Sequence, residues 1–348
     1  GGHKGTPAVF GGTREGERVV GYPARRQAIT NPENTIFAAK RLIGRRFDSP
    51  EVQRSTRLYP YGIVEGPNQD ARICVGDRIL TCPEVSGIIL KEMKRIAEEH
   101  LGEEVDSAVI TVPAYFNDTQ RQSTRDAGRI AGLDVLRIIN EPAAAALAYG
   151  MGREEEEKIA IYDLGGGTFD MSILEMSDGV VEVLATAGDT FLGGEDFDLR
   201  IVDHLLDVFG KDCGFDLRSD PVAMQRLKDA AEKAKCTLSL REKAEINLPF
   251  IASDGDGPRH LACEIHRDEI EGLVEDIVEE TLRSVERCVA AAGLSAREID
   301  HVVVVGGQSR MPMVQQAVTD YLSLIHISGP TRLGVSSYAV FCLKKKGG

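Results

Sequence analysis

At 348 residues, the chain is long enough for about two domains with a buried core. Its net charge of −14 would repel a polyanion, so general nucleic-acid binding is not expected, and its longest apolar stretches fall far short of the roughly 20 residues that cross a bilayer. The seven cysteines form no C-x-x-C pair, which argues against a zinc site or a disulfide framework and favours a reducing cytoplasm.

In the first part of the chain, the sequence predicts strands and helices in alternation. Short apolar pieces at residues 7–10 and 19–22 lie between Gly-rich, charged turns, which is typical of strands. Helices are predicted over residues 31–47, which open with an Asn-Pro-Glu-Asn capping region, and over residues 83–101. The pattern then predicts a strand at 107–113, a helix at 119–132, a strand at 135–139 and an alanine-rich helix that ends near residue 150.

The second part follows a four-glutamate run at residues 154–157, which we interpret as a solvated connection between lobes. Strands are predicted at 159–162, 169–176, 180–187 and 301–305, with helices at 196–209, 221–239 and 268–292. Strands that alternate with helices predict an α/β architecture. We place the first lobe at residues 1–155 and the second lobe at residues 156–322.

The sequence Asp-Leu-Gly-Gly-Gly-Thr-Phe-Asp at residues 163–170 lies between two predicted strands and indicates a β-hairpin turn. Glycines without Cβ let the backbone approach a phosphate and point several N–H donors at it, and Asp163 at the strand end can hold magnesium through water. An ordinary Gly-rich hairpin is the alternative. The residues predicted to bind phosphate are Gly165, Gly166, Gly167 and Thr168.

This segment resembles the second phosphate-binding hairpin of bacterial DnaK, the seventy-kilodalton heat-shock chaperone family. The resemblance covers roughly residues 1–321, and its segments follow in the family's order: residues 34–47, 108–132, 138–150, 188–197, 223–239 and 302–314. It implies an actin-like ATPase fold of the ribonuclease-H-like type, with two lobes around a nucleotide cleft. It also implies ATP hydrolysis in a chaperone cycle that serves protein folding and the stress response.

The resemblance assigns catalytic roles to two charged residues of the first lobe. Lys40 stands among apolar residues, where a lysine is either a snorkelling surface residue or a positioned cation, and the family's matching lysine reaches the terminal phosphate. Glu141 could simply favour the positive end of a helix, whereas the family's matching glutamate helps to orient the attacking water and the magnesium shell. With Asp163 and Thr168, they form the predicted catalytic set.

Glu232, Lys235 and Ser239 are spaced so that a helix places them on one face. A solvated Glu–Lys face is one interpretation; in the family, the matching face binds the adenosine together with a Gly-Gly turn. Cys236 departs from the arginine that many eukaryotic relatives carry, which puts only a stacking contribution to the adenine in doubt. The turn residues that match are Gly306, Gly307, Gln308, Ser309 and Arg310.

The resemblance also implies cofactors and partners. The implied cofactors are ATP or ADP with Mg²⁺, and K⁺ is a further cation that the resemblance allows. Pro113 and Arg121 resemble a proline and an arginine that relay nucleotide state to a peptide-binding domain, with a strand-ending proline and a surface arginine as the alternative. Expected partners are unfolded polypeptide clients, a J-domain co-chaperone and a nucleotide exchange factor.

Two parts of the family pattern are missing from the sequence: a first Gly-Thr-rich hairpin with a second metal-associated Asp, and the final strand, helix, linker and peptide-binding domain. We therefore expect this chain itself to bind ATP weakly or not at all. Residues 323–346 show neither a helical nor a strand period. We interpret residues 323–348 as a non-family segment typical of translated sequencing-adapter read-through, with a natural divergent tail as the alternative.

Two other functions occur on the same fold. A sugar or glycerol kinase needs a hydroxyl-bearing acceptor, so phosphate release from ATP alone would distinguish it from a chaperone ATPase. An actin-like filament ATPase would show nucleotide-dependent sedimentation. The matching segments disfavour both.

Overall fold

The computed structural model describes residues 6–13, 17–148, 156–177, 180–214, 216–254, 257–322, 327–328 and 340–342. The chain forms two compact units, which we call unit one (Gly1–Ala144 with Arg332–Gly348) and unit two (Ala145–Thr331). Each unit has its own hydrophobic core and combines helices with sheets, so the predicted α/β class is confirmed. Within the described ranges, no helix is long and apolar enough to cross a membrane.

Unit one builds its described part from small sheets with helices packed against them. The strands associate in the orders β2-β1-β3 and β4-β5-β6, while β7 and β8 run parallel. The elements, in chain order, are β1 (Phe10–Gly12), β2 (Arg18–Val20), α1 (Tyr22–Gln27), β3 (Thr35–Ile36), α2 (Pro50–Leu58), β4 (Ile63–Glu65), β5 (Ala71–Val75), β6 (Arg78–Thr81), α3 (Cys82–Leu101), β7 (Ser107–Val112), α4 (Asp118–Ile130), β8 (Asp134–Asn140) and α5 (Glu141–Ala148), which continues into unit two.

The start, the end and the buried face of helix α3 each follow from particular residues of its sequence. A capping box opens it: the Thr81 hydroxyl accepts a hydrogen bond from the Glu84 N–H at 3.3 Å, and the Glu84 carboxylate accepts one from the Thr81 N–H at 2.7 Å. Gly102, in the left-handed conformation, ends it. Val85 and Ile89 are buried on its inner face, so the helix predicted over residues 83–101 is confirmed.

The helix predicted over residues 31–47 is wrong. Short 3-10 helices at Pro32–Asn34 and Ala39–Arg41 stand on either side of β3, and β3 pairs antiparallel with β1. Ala38 has φ 53° and ψ 24°, a left-handed conformation that interrupts any right-handed helix. The apolar residues in this segment therefore belong to a paired strand followed by a turn. Ile36 is buried because β3 pairs with β1, and not because it lies on the inner face of a helix.

Unit two is built around a sheet with the strand order β11-β10-β9-β14-β15, in which β14 runs parallel to β9. Three long helices, α6, α7 and α8, cover its core. The elements are β9 (Glu157–Leu164), β10 (Phe169–Ser177), β11 (Val180–Asp189), α6 (Gly194–Cys213), α7 (Pro221–Leu238), β12 (Lys243–Asp254), β13 (Gly257–His266), α8 (Arg267–Ala291), β14 (His301–Val305), α9 (Pro312–Leu322) and β15 (Ile327–Ser328).

Most predicted elements of unit two are present, and two paired strands were not predicted. The strands predicted at 159–162, 169–176 and 301–305 correspond to β9, β10 and β14, and the predicted helices correspond to α6, α7 and α8. The antiparallel hairpin of β12 and β13 was missed. The interpretation of residues 154–157 as a connection falls largely outside the described residues.

The segment after residue 322 contains short strands where no strand period was found. β15 pairs in parallel with β14, and β16 (Val340–Cys342) pairs antiparallel with β7. Strands of two or three residues are too short to show a period of two, and their pairing depends on edges that the rest of the chain supplies.

Candidate functional site

The Gly-rich sequence forms the predicted hairpin turn between β9 and β10. Asp163 and Asp170 are cross-strand partners at its base. Within the turn, the Gly165 N–H donates to the Thr168 carbonyl at 3.0 Å. A Cβ added to Gly166 would have no heavy atom within 4 Å, so space is open beside the backbone of the turn. An anion can therefore approach the peptide groups closely.

The first turn of α6 packs against this hairpin turn. The Gly194 N–H donates to the Gly165 carbonyl at 2.9 Å, and the Glu195 N–H donates to the Gly166 carbonyl at 2.7 Å. Because the N–H and C=O of a trans peptide point in opposite directions, the N–H groups of Gly166 and Gly167 point away from the donors on α6. The positive end of the α6 dipole lies behind the turn, so both effects favour an anion on the opposite side.

A second glycine turn lies beside the first. β14 pairs with β9 so that Val305 is the partner of Asp163, and Gly306 follows with φ 90°. A Cβ at Gly306 would come within 2.2 Å of the Leu164 carbonyl oxygen and 2.8 Å of Asp163 Oδ1. Only glycine can adopt this positive φ and also fit so close to the Leu164 carbonyl. The close packing of the two turns therefore requires glycine at position 306.

Lys235 connects α7 to the first turn of α6. Its side chain is only 9% exposed, and its Nζ lies 2.8 Å from the Gly194 carbonyl oxygen and 2.8 Å from Asp198 Oδ1. The contact with Asp198 is an ion pair without hydrogen-bond geometry. A Cβ at Gly194 would lie 3.1 Å from Gln308 Oε1, which places the second glycine turn beside the same lysine. Sequence reasoning missed Asp198, because no motif marks it.

Glu232 and Arg310 both act electrostatically on Cys236. Burial raises the pKa of the Cys236 thiol; Lys235 and Arg310 lower that pKa, and Glu232 and Asp198 raise it further. The five groups therefore lie within electrostatic range of one another. The structure thus brings together charged residues that the sequence assigned to one helix face and to the glycine turn.

A shallow recess opens next to this charged group. Ser239 lies at its edge and donates its hydroxyl to the Lys235 carbonyl at 3.1 Å. An apolar wall with a few polar groups is typical of small-molecule sites. Sequence reasoning missed Arg267 in this lining, since a single arginine at a helix start carries no motif. The lining residues are Lys235, Leu238, Ser239, Arg267, Ile270, Met311 and Pro312.

In unit one, the structure places Lys40 against Glu141. Lys40 Nζ lies 2.6 Å from Glu141 Oε1, and the two side chains are 18% and 11% exposed. Glu141 is the first residue of α5, directly after β8, and Lys40 belongs to the 3-10 helix Ala39–Arg41. A charge-assisted hydrogen bond in this partly buried position orients both groups. Neither is a solvated surface charge.

Arg121 ties the turn after β7 to the end of β8. Its guanidinium donates to the Phe116 carbonyl at 2.9 Å, to the Ala114 carbonyl at 3.2 Å and to Asn140 Oδ1 at 2.8 Å. The turn starts at Pro113, whose carbonyl accepts a hydrogen bond from the Phe116 N–H at 3.1 Å. Asn140 is the last residue of β8 and directly precedes α5, so Arg121 fixes the strand end from which that helix begins.

Gly44 brings the loop after Lys40 into contact with α4. Gly44 has φ 66°, and a Cβ there would lie 2.6 Å from the Cα and 2.9 Å from the backbone N of Gln120. Backbone touches backbone at this point. The loop that follows Lys40 and the first turn of α4, which carries Arg121, therefore share one tightly packed contact.

Among the described residues, no group of three or more His, Cys, Asp and Glu side chains could hold a metal ion by itself. Mg²⁺ seldom uses such a cage, since it keeps several waters and binds one or two carboxylates together with substrate phosphates. Asp163, whose carboxylate lies against Gly306 at the base of the Gly-rich turn, fits that requirement.

A glycine turn with outward N–H groups, a second glycine turn in contact with it and a buried lysine lie together at the strand ends of this α/β protein, where an anionic ligand can approach. The family model described as Hsp70 protein matches residues 1–324, and the chain belongs to the Hsp70 family. It therefore has the actin-like ATPase fold and carries an ATPase domain of the Hsp70 chaperones. This membership argues against the kinase and filament alternatives.

Proposed function

We propose that the chain is the ATP-binding and ATP-hydrolysing domain of a DnaK-type chaperone that acts in protein folding and the stress response in the cytoplasm. The observation that supports this most strongly is the contact between the Gly-rich turn and the Gly306 turn. This contact places the Asp163 carboxylate and the outward N–H groups of the Gly-rich turn at the neighbouring ends of β9 and β14. Ligands of open α/β sheets bind at such carboxyl ends.

The adenosine binds beside the recess, among the charged residues that surround Cys236. Glu232, Lys235 and Ser239 contact the ribose and base from α7, while Gly307 and Arg310 close the other side. Gln308 and Ser309 support this turn from within: Gln308 is buried, and Ser309 donates to the Gly306 carbonyl at 2.8 Å. The apolar wall of the recess accepts the base.

The phosphates bind along the Gly-rich turn, where the N–H groups of Gly166 and Gly167 and the hydroxyl of Thr168 serve as donors. Asp163 would hold Mg²⁺ through water, and that ion would neutralise charge on the phosphate oxygens. K⁺ is a further cation that this arrangement admits. Gly165 closes the turn and sets the direction of its peptide groups.

Lys40 and Glu141 supply the hydrolytic groups. Lys40 stabilises the charge that develops on the terminal phosphate, and Glu141 orients the attacking water. Their ion pair holds the Lys40 ammonium and the Glu141 carboxylate next to each other. Each is a preorganised group, which lowers the reorganisation needed at the moment of reaction.

Pro113 and Arg121 form the proposed relay to a peptide-binding domain. The support for this proposal is the set of hydrogen bonds by which Arg121 joins the Pro113 turn to the start of α5, where Glu141 lies. The proposed partners are unfolded polypeptides, a J-domain co-chaperone and a nucleotide exchange factor.

Titration calorimetry and phosphate release test the function together. We expect at most a weak heat of binding with magnesium-ATP and none with magnesium-GTP, and we expect Glu232→Ala to remove the ATP heat, because that change removes a polar contact proposed for the adenosine. Release of phosphate from ATP alone supports the chaperone ATPase, whereas phosphate transfer that needs glycerol or a sugar contradicts it. The weak binding expected for this chain stays a prediction, and the same titration measures it.

A further inference from the structure

The turn that carries Lys40 holds an unfavourable backbone conformation. Ala38 lies in the left-handed region, with φ 53° and ψ 24°, and the 3-10 helix with Lys40 begins at the next residue. A residue with a Cβ enters this region only when its surroundings impose it. Something outside the turn must therefore keep it in place.

Tyr61 supplies that restraint. Its hydroxyl donates to the Phe37 carbonyl at 2.6 Å, one residue before Ala38, and the side chain is only 2% exposed. The Tyr61 ring meets Phe37 edge to face, with centroids 5.5 Å apart, and stacks on Tyr59 at 5.3 Å. On the other side of the turn, Arg41 donates to the Tyr59 hydroxyl. Tyr61 thus holds the backbone before Lys40, and Tyr59 holds the side chain of the residue after it.

We propose that Tyr61 is a positioning residue for Lys40: its hydroxyl fixes the Phe37 carbonyl, which holds Ala38 in the left-handed conformation and directs Lys40 at Glu141. The inference rests on the proposed hydrolytic role of Lys40 only for its effect on catalysis. Its structural part concerns the Lys40–Glu141 ion pair, which can be measured without ATP.

The hydroxyl acts beyond the packing of the ring. A phenylalanine at position 61 would keep the ring contacts and lose only the bond to the Phe37 carbonyl. That carbonyl would then be free to rotate, and Ala38 could relax to a right-handed conformation. Because Lys40 lies two residues further on, such a rotation redirects its side chain away from Glu141.

The first measurement is the acylation rate of the Lys40 amine, read by mass spectrometry on the full chain. We expect Tyr61→Phe to raise this rate by about three- to tenfold, the factor that corresponds to one typical hydrogen bond. Ser55→Ala is the matched control, because it removes a buried hydroxyl that donates to the Glu51 carbonyl at 2.9 Å in the same unit. An unchanged Lys40 rate in folded Tyr61→Phe overturns the proposal.

A second substitution separates positioning from general stability. Glycine adopts the left-handed region without strain, so Ala38→Gly should restore most of the Lys40 protection when it is added to Tyr61→Phe. A merely structural role for Tyr61 predicts no such rescue. If the double variant labels as fast as Tyr61→Phe, the Phe37 carbonyl is not the link.

Single-turnover ATP cleavage then connects the turn to catalysis. We expect Tyr61→Phe to slow cleavage by about three- to tenfold with unchanged nucleotide affinity, and Ala38→Gly to recover part of the loss. If Lys40→Ala cleaves at the normal rate, the proposed function of Lys40 fails while the labelling result still decides the role of Tyr61. If Lys40→Ala is inactive and Tyr61→Phe cleaves normally with normal labelling, only the Tyr61 inference fails.

Discussion

Gly306 lies directly against Asp163, so that a Cβ at position 306 would be 2.8 Å from Asp163 Oδ1. The residue proposed to hold magnesium and the turn proposed to bind adenosine thus share one contact. The pairing of Val305 with Asp163 in adjacent parallel strands creates it. The two turns therefore cannot shift independently.

Gly306→Ala should destabilise unit two and abolish nucleotide binding. The new Cβ would clash with the Leu164 carbonyl at 2.2 Å in a backbone conformation that favours glycine, and we expect a loss of at least about 2 kcal/mol of unfolding free energy. Urea denaturation followed by circular dichroism measures it. Gly307→Ala is the stability control, since a Cβ there meets no heavy atom within 4 Å. Equal stability of the two variants would contradict the prediction.

Asp198→Ala should leave Lys235 as a buried ammonium without its carboxylate. Removal of one partner of a buried ion pair costs about 3–5 kcal/mol, and we expect a value near the lower end because the Gly194 carbonyl remains as an acceptor. Combined with Lys235→Met, the loss should be smaller than the sum of the single losses. Additive losses in urea denaturation would show that the pair is not coupled.

Lys40→Ala should remove hydrolysis and retain nucleotide. The ammonium acts on charge that develops in the transition state, so we expect single-turnover cleavage to fall by about 10²- to 10³-fold while ATP affinity changes little. Lys91→Ala, which removes an exposed lysine from α3, serves as the control. An unchanged cleavage rate would take Lys40 out of the catalytic set.

The capping box of α3 should lose strength in acid. Hydrogen bonds from the Thr81 N–H and hydroxyl lower the pKa of Glu84 below its ordinary value of 4.5. A lowered folded pKa means that the stabilisation is present above that value and is lost as the pH falls through the folded pKa. Glu84→Gln should therefore cost about 0.5–1 kcal/mol at neutral pH and nearly nothing at an acid pH below the folded pKa of Glu84.

The control for this pH effect is Glu104→Gln, which changes an exposed glutamate in the same unit. Thermal unfolding at the two pH values measures both variants against the unchanged chain. A Glu84→Gln penalty that persists undiminished in acid would show that the carboxylate charge contributes nothing to the cap.

The sequence predicted those elements correctly whose conformation depends on residues within the same short stretch of chain. The run of glycines at residues 165–167 predicted a hairpin, and the hairpin is present, because a turn of four residues depends mainly on its own conformational freedom. The cap and apolar stripe of α3 likewise lie within one stretch of sequence. The roles assigned to the site residues stay predictions.

Nonlocal contacts explain what sequence reasoning missed. Nothing near Ala38 indicates its left-handed conformation, since the restraint comes from Tyr61 through the Phe37 carbonyl. Asp198 looks like any acid on an amphipathic helix until α7 brings Lys235 against it. Both require knowledge of which distant segments pack together.

The contact of Gly44 with Gln120 packs the loop that follows Lys40 tightly against the first turn of α4 in unit one. The approach is mainly to main-chain atoms of Gln120, with Cγ of its side chain beside them, so little at this contact can absorb a displacement by changing rotamer. A displacement of the first turn of α4, which carries Arg121, would therefore press directly on the loop that follows Lys40. In mechanical terms, this contact is a rigid link, and its stiffness rather than any charge would set how faithfully movement at one end is reproduced at the other.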